Sequence, residues 1–189
     1  MENSAQPPFA TVAADSTSKF GAVSTRLSSA LEQPEHRILV DLAAQTQQSV
    51  SKWFDDSDVL GIAQENGIAL TWWQVMDAGR DSVDLLRQWL DQFGGKLRLV
   101  IVLNQIRGEY FELLETSGQR QRAEALGANV VSLRHLTDTT MQKIDQKNSS
   151  FWAAAHHPDR ASTGLGMLER QRVKVWLKRV HEEIDKVAP

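Results

Sequence analysis

The sequence predicts an α/β fold: a doubly wound, mainly parallel sheet of about five strands, with helices on both faces and a long C-terminal helix. Three observations carry this expectation. Short apolar runs recur along the chain, near Phe9, Arg37, Ile68, Leu97 and Asn129. Stretches with helical spacing separate them, as the crossover between parallel strands requires. The run Leu97-Arg-Leu-Val-Ile-Val-Leu103 is apolar nearly throughout, the pattern of a strand buried on both faces. It is therefore expected inside the sheet and not at an edge.

The elements follow in order. Phe9–Ala14 is a short strand candidate that ends at Asp15. From Ser16 to Leu31, Phe20, Val23, Leu27 and Leu31 share one side of a helix, and Gln33-Pro34-Glu35 breaks it because proline cannot continue a helix. Arg37–Leu42 is the second strand. Gln45–Phe54 and Ser57–Gln64 read as helices, with Asp58 near the start of the latter, and Asn66-Gly67 marks a turn. Ile68–Met76 is the third strand. Asp81–Phe93 is an amphipathic helix closed by Gly94-Gly95. Leu97–Leu103 is the fourth strand, Arg107–Ser117 a surface excursion, Gln119–Leu126 a helix ending at Gly127, and Asn129–Leu133 the fifth strand. Thr137–Pro158 is polar and mixed. Leu165–Val187 is one long helix in which Leu168, Val173, Val175, Trp176, Val180 and Ile184 alternate with Arg170, Arg172, Lys174, Lys178 and Arg179. Trp72 and Trp73 are neighbours on one strand and must point to opposite faces.

With 189 residues, 24% of them charged and 41% hydrophobic, the chain suits one domain. That domain is expected over residues 9–189, after a flexible polar tail at Met1–Pro8. The net charge of -3 provides no global basic field for nucleic acid. There is no cysteine, which excludes disulfides and thiolate metal sites and fits a cytoplasmic location. No apolar run approaches the roughly 20 residues that a membrane-spanning helix needs, and Met1–Pro8 lacks the order of a secretory signal.

Ligands of parallel sheets bind at the carboxyl ends of strands, so polar residues there are the first functional candidates. Asp41 ends an apolar run. A carboxylate there can hold a Mg²⁺-bound water beside nucleotide phosphates, with Gln45 or Thr46 on the same waters; it can equally be a helix cap. Asp15 can orient an attacking water or cap the helix that Ser16-Thr17-Ser18 begins. Asn104 offers a donor and an acceptor to a purine edge, or suits the turn at a strand end. Arg107 and Arg80 are candidates for anion contacts, or ordinary exposed arginines. His156-His157 does not read as a metal site, since adjacent side chains diverge and no third ligand has suitable spacing.

Four segments carry a resemblance that covers most of the chain: Val12-Ala-Ala-Asp15, Ile38-Leu-Val-Asp41-Leu-Ala-Ala, Val100-Ile-Val-Leu-Asn104, and the tail Ser150-Phe-Trp-Ala-Ala with Glu169-Arg-Gln-Arg-Val-Lys-Val-Trp176. Together they resemble the ParA/MinD-like family of deviant Walker P-loop ATPases, and most closely its plasmid transfer and stability branch, typified by TraL, MobD and StbB proteins. The resemblance implies ATP and Mg²⁺ as cofactors, with a homodimer and plasmid transfer or partition proteins as partners. Asp15 would position water, Asp41 would hold the Mg²⁺ shell and Asn104 would contact adenine; Gln45, Thr46 and Arg107, read from their places in the chain, are the further candidates to contact the nucleotide. The sequence departs from the family in one respect. The family opens with a strand and a Lys-Gly-Gly-x-Gly-Lys-Ser/Thr loop. These residues begin at what would be its second strand, Ser18-Lys19-Phe20-Gly21 does not replace the loop, and Ala43-Ala44 stands where a glycine is expected. A nucleotide-dependent switch that does not hydrolyse ATP in this form is therefore expected. The alternative is a non-catalytic interaction module that docks through its basic amphipathic C-terminal helix.

Overall fold

The computed structural model describes residues 9–14, by backbone alone, together with 37–42, 46–157 and 163–187. The expected tail over 1–8, the helix over 16–31 and its proline break lie outside them. The described residues group into two compact units that divide between Ala69 and Leu70.

In the first unit, β1 (Phe9–Ala14) and β2 (Arg37–Leu42) pair in parallel, in register from Phe9↔Arg37 to Ala14↔Leu42. Along β2, half-buried Ile38, Val40 and Leu42 alternate with exposed Leu39 and Asp41, the period of a strand with one covered face. Two helices follow, α1 (Gln47–Asp56) and α2 (Val59–Glu65). Asp58 caps α2 from a left-handed conformation, φ 44°, its carboxylate accepting from the Gly61 amide at 3.3 Å. Asp58 is the residue that the sequence placed near that helix start. Gly67, at φ 65°, turns the chain away.

The second unit contains β3 (Thr71–Met76), α3 (Arg80–Phe93), β4 (Arg98–Asn104), α4 (Glu112–Thr116), α5 (Gln119–Ala125), β5 (Asn129–Leu133), α6 (Asp138–Gln146), α7 (Phe151–His156) and α8 (Met167–Asp185). The strands form a parallel triplet in the order β3-β4-β5, so the most apolar run is central, as expected. Leu99 to Leu103 are all buried. Enclosing a side chain of that size is worth roughly 1.5–3 kcal/mol, which makes β4 the anchor of the unit.

The pleat then sends neighbours to opposite layers. Trp72, paired with Leu99, meets Trp89 of α3 at 6.1 Å between rings, and Trp89 meets Phe93 at 5.8 Å. Trp73, paired with Val100, packs with Val102, Val131, Leu133 and Val187 on the other face. The chain after α8 seals that face, and the Arg98 guanidinium donates to the Val187 carbonyl at 2.6 Å. The triplet thus has a layer on each side. Hydrogen bonding joins the five described strands as a pair and a triplet.

Two stretches hold more helix than their composition suggests. The surface excursion contains α4, which buries Leu114, with Phe111 buried just before it. The polar stretch after β5 contains α6 and α7, which build a small separate core of Leu136, Ile144, Ala154, Ala155, Leu165 and Val173. Thr140 is wholly buried in α6, and its hydroxyl is satisfied by that of Thr137 at 2.9 Å. Helices this short have little intrinsic stability; packing against α8 fixes them, with Phe151 and Trp176 rings 4.9 Å apart. Among the described residues, no helix is long and apolar enough to cross a membrane.

Candidate functional site at the carboxyl edge of the parallel triplet

Met76 pairs with Leu103, so Asp77 and Asn104 are next in line at the carboxyl ends of adjoining strands. Asp77 is held by the turn into α3. Its Oδ1 accepts from the Ser82 hydroxyl at 2.7 Å and from the Gly79 amide at 2.9 Å, while the Asp77 amide donates to Ser82 Oγ at 3.2 Å. Gly79 leaves room for this approach: a Cβ there would sit 3.0 Å from Oδ1, so the carboxylate would have to give by a few tenths of an ångström. The other carboxylate oxygen, Oδ2, pairs with the Arg107 guanidinium at 2.9 Å. The Ser82 hydroxyl chiefly, then the Gly79 amide, hold the Asp77 carboxyl below its ordinary pKa; burial pushes the other way, and the Arg107 charge adds a lesser lowering.

Asn104 closes β4 in an extended conformation, φ -83° and ψ 108°. Its Oδ1 accepts from the Ile106 amide at 3.3 Å and starts the 3-10 turn Gln105–Arg107. That turn swings Arg107 back to Asp77, so one ion pair ties the ends of two parallel strands. The Asn104 Nδ2 group donates to no group among the described residues. Arg80 is exposed at the first turn of α3. The edge therefore offers a fixed carboxylate, a guanidinium on the solvent side and a donor amide. This set can orient a polar or anionic ligand. Among the described residues no group of three or more His, Asp or Glu could hold a metal.

The structure brings together two expected residues, Asn104 and Arg107, and adds Asp77, which was not among the expected candidates. The signal was present. Met76-Asp77 ends an apolar strand on a carboxylate, as Val40-Asp41 does, and Gly79 and Ser82 follow at capping distance. In the first unit, Asp41 is exposed on β2, one residue before the strand ends, in register with Ala13 of β1. Thr46 precedes α1 and its carbonyl accepts from the Val50 amide at 2.9 Å, with no side-chain cap. Asp15 and Gln45 lie outside the described residues. His156 stacks on Trp152 at 4.9 Å and its Nδ1 lies 2.9 Å from the Trp152 carbonyl, a local helix contact.

These features define a class: an α/β protein whose parallel strands carry polar residues at their carboxyl edge. Beyond that class, no protein-family model, no curated protein and no solved structure matches the chain.

Proposed function

We propose that the chain is a ParA/MinD-like nucleotide-dependent switch protein serving plasmid maintenance or conjugative transfer in the cytoplasm. The observation that supports this best is the carboxyl edge of the triplet, where Asn104 and the Arg107–Asp77 ion pair stand at the ends of parallel strands. Two groups suit the ligands of the family. The Asn104 Nδ2 is a donor without a protein partner among the described residues, as an acceptor on a base would require. Asp41 is an exposed carboxylate, accessible to the water shell of Mg²⁺. Bound ATP would supply the phosphoanhydride whose state sets the switch; Asn104 would orient its base and Asp41 the waters of its Mg²⁺. These 189 residues contain no phosphate loop, so they lack the amides and lysine that position and stabilise a transferring phosphoryl group.

The test is equilibrium binding of labelled ATP with Mg²⁺. The chain alone should show little or no hydrolysis. Grafting a Walker A strand, loop and helix ahead of Phe9 should give Mg²⁺-dependent binding, which Asn104→Ala weakens. A grafted chain that folds yet ignores nucleotide would sink this reading. Robust turnover by the unmodified chain, abolished by Asp41→Asn, would show that the loop is not decisive.

An alternative function, that of a non-catalytic interaction module, rests on α8. Its outward face keeps Met167 and Leu168 at 75% and 70% exposure among exposed cations, a costly surface for a helix that merely covers its own sheet.

A further inference from the structure

The two faces of α8 are fully sorted. Val173 is wholly buried, with Trp176 and Leu177 packed beside it, and Trp176 Nε1 donates to the Arg134 carbonyl at 2.6 Å. The opposite side carries Met167, Leu168, Gln171, Val175, Lys178, Arg179 and Glu182, all exposed. On a 3.6-residue period, Leu168 and Val175 lie two turns apart along its centre. Arg172 and Arg179 flank them on one side, Lys174 and Lys178 on the other. Lys178 is 3.7 Å from Glu182; Arg172, Lys174 and Arg179 take part in no ion pair among the described residues. Apolar side chains therefore run down the middle of a basic strip.

We propose that this face docks an acidic, amphipathic segment of a partner protein. This rests on the interaction-module reading and names its partner class. Three alternatives for such a strip differ physically. A nucleic-acid backbone would pair with the cations but leave exposed Met167, Leu168 and Val175 against phosphate. A membrane surface takes a helix whose continuous apolar stripe is free to insert, whereas here that stripe, through Val173, Trp176 and Leu177, is committed to the core. An amphipathic segment with apolar anchors between carboxylates satisfies both components of the strip at once.

The probe is a fluorescein-labelled synthetic amphipathic helix of about 18 residues, with leucines at i, i+3, i+4 and i+7 flanked by glutamates. Mixed-sequence duplex DNA and phosphatidylglycerol vesicles are run in parallel against the full chain. The peptide should bind saturably and more tightly than either alternative. Arg172→Glu with Arg179→Glu should weaken it about tenfold or more, since like charges then face the probe. Leu168→Ser should weaken it by about threefold to tenfold by removing an apolar anchor. Arg87→Glu, on the exposed side of α3, should leave it unchanged. All these positions are exposed, and circular dichroism checks each fold. Peptide binding that survives the double charge reversal overturns the proposal. So does DNA or vesicle binding that the reversal abolishes while the peptide fails, although the module reading then stands. If none of the three probes binds, both fall.

Discussion

Strands β2 and β4 are similar in sequence, Arg37-Ile-Leu-Val-Asp-Leu42 against Arg98-Leu-Val-Ile-Val-Leu-Asn104, yet their environments differ. Every residue from Leu99 to Leu103 is buried, whereas Leu39 of β2 is 56% exposed. β4 has a strand on each side and a layer on each face. The polar residues that follow the apolar cores differ too. Asp41 is exposed, while Asp77, at the end of the strand beside β4, is held by a hydroxyl, an amide and a guanidinium. An apolar run reports the capacity to be buried; neighbours decide how much of it is used.

The sharpest way to break this comparison is to place a charge on each strand. Ile101→Asp buries an unpaired carboxylate among side chains that shut out water. It should cost at least about 4 kcal/mol and leave the second unit unfolded. Leu39→Asp should cost no more than about 0.5 kcal/mol, because the side chain already meets solvent. Urea denaturation of both variants decides. Equal losses would mean that β2 is as enclosed as β4.

Next comes the aromatic layer over the triplet. Trp89 is almost completely buried, its ring against Trp72 and Phe93. Trp89→Ala should cost about 3–5 kcal/mol, from lost transfer energy and the cavity left behind. Its indole N–H has no partner among the described residues. Trp89→Phe should therefore cost much less than the alanine variant, since it removes a donor that gains nothing. A Trp89→Phe loss as large as that of Trp89→Ala would show that the N–H is satisfied.

A smaller effect tests the two carboxylates. Asp77→Asn keeps the shape but weakens the bonds from Ser82, Gly79 and Arg107, and should cost about 1–3 kcal/mol at neutral pH. The pH dependence carries the sign. The folded state lowers the Asp77 pKa, so the ionised carboxylate stabilises above the ordinary value of 3.8. That stability is lost as pH falls through the depressed folded pKa. The gap between wild type and Asp77→Asn should thus be full at neutral pH and shrink in strong acid. A constant gap would place the effect in packing alone.

The smallest expected change is Asp41→Asn, which should shift stability by less than about 0.5 kcal/mol. In a chain carrying a grafted phosphate loop, the same change should reduce ATP hydrolysis more than ATP binding. A large stability loss would mean that Asp41 is a structural cap.

Local pattern was enough to read the strand order of the described residues, the helices α1, α2, α3, α5 and α8, the parallel pairing, the central place of Leu97–Leu103 and the opposed directions of Trp72 and Trp73. Each follows from side-chain period and from the crossover length that parallel strands need, both written along the chain. Asn104 and Arg107 were legible as candidates because they follow an apolar strand. Their joint arrangement was not, because the ion pair with Asp77 depends on the register between β3 and β4, which sequence leaves unstated. The same reason applies to the C-terminal third. Nothing local distinguishes Val173 from Val175, two residues apart in one helix. Docking against α6 and α7 buries the former wholly and leaves the latter exposed. The polar stretch 138–156 became two helices for that reason as well: α8 supplied the surface that made their few apolar residues a core.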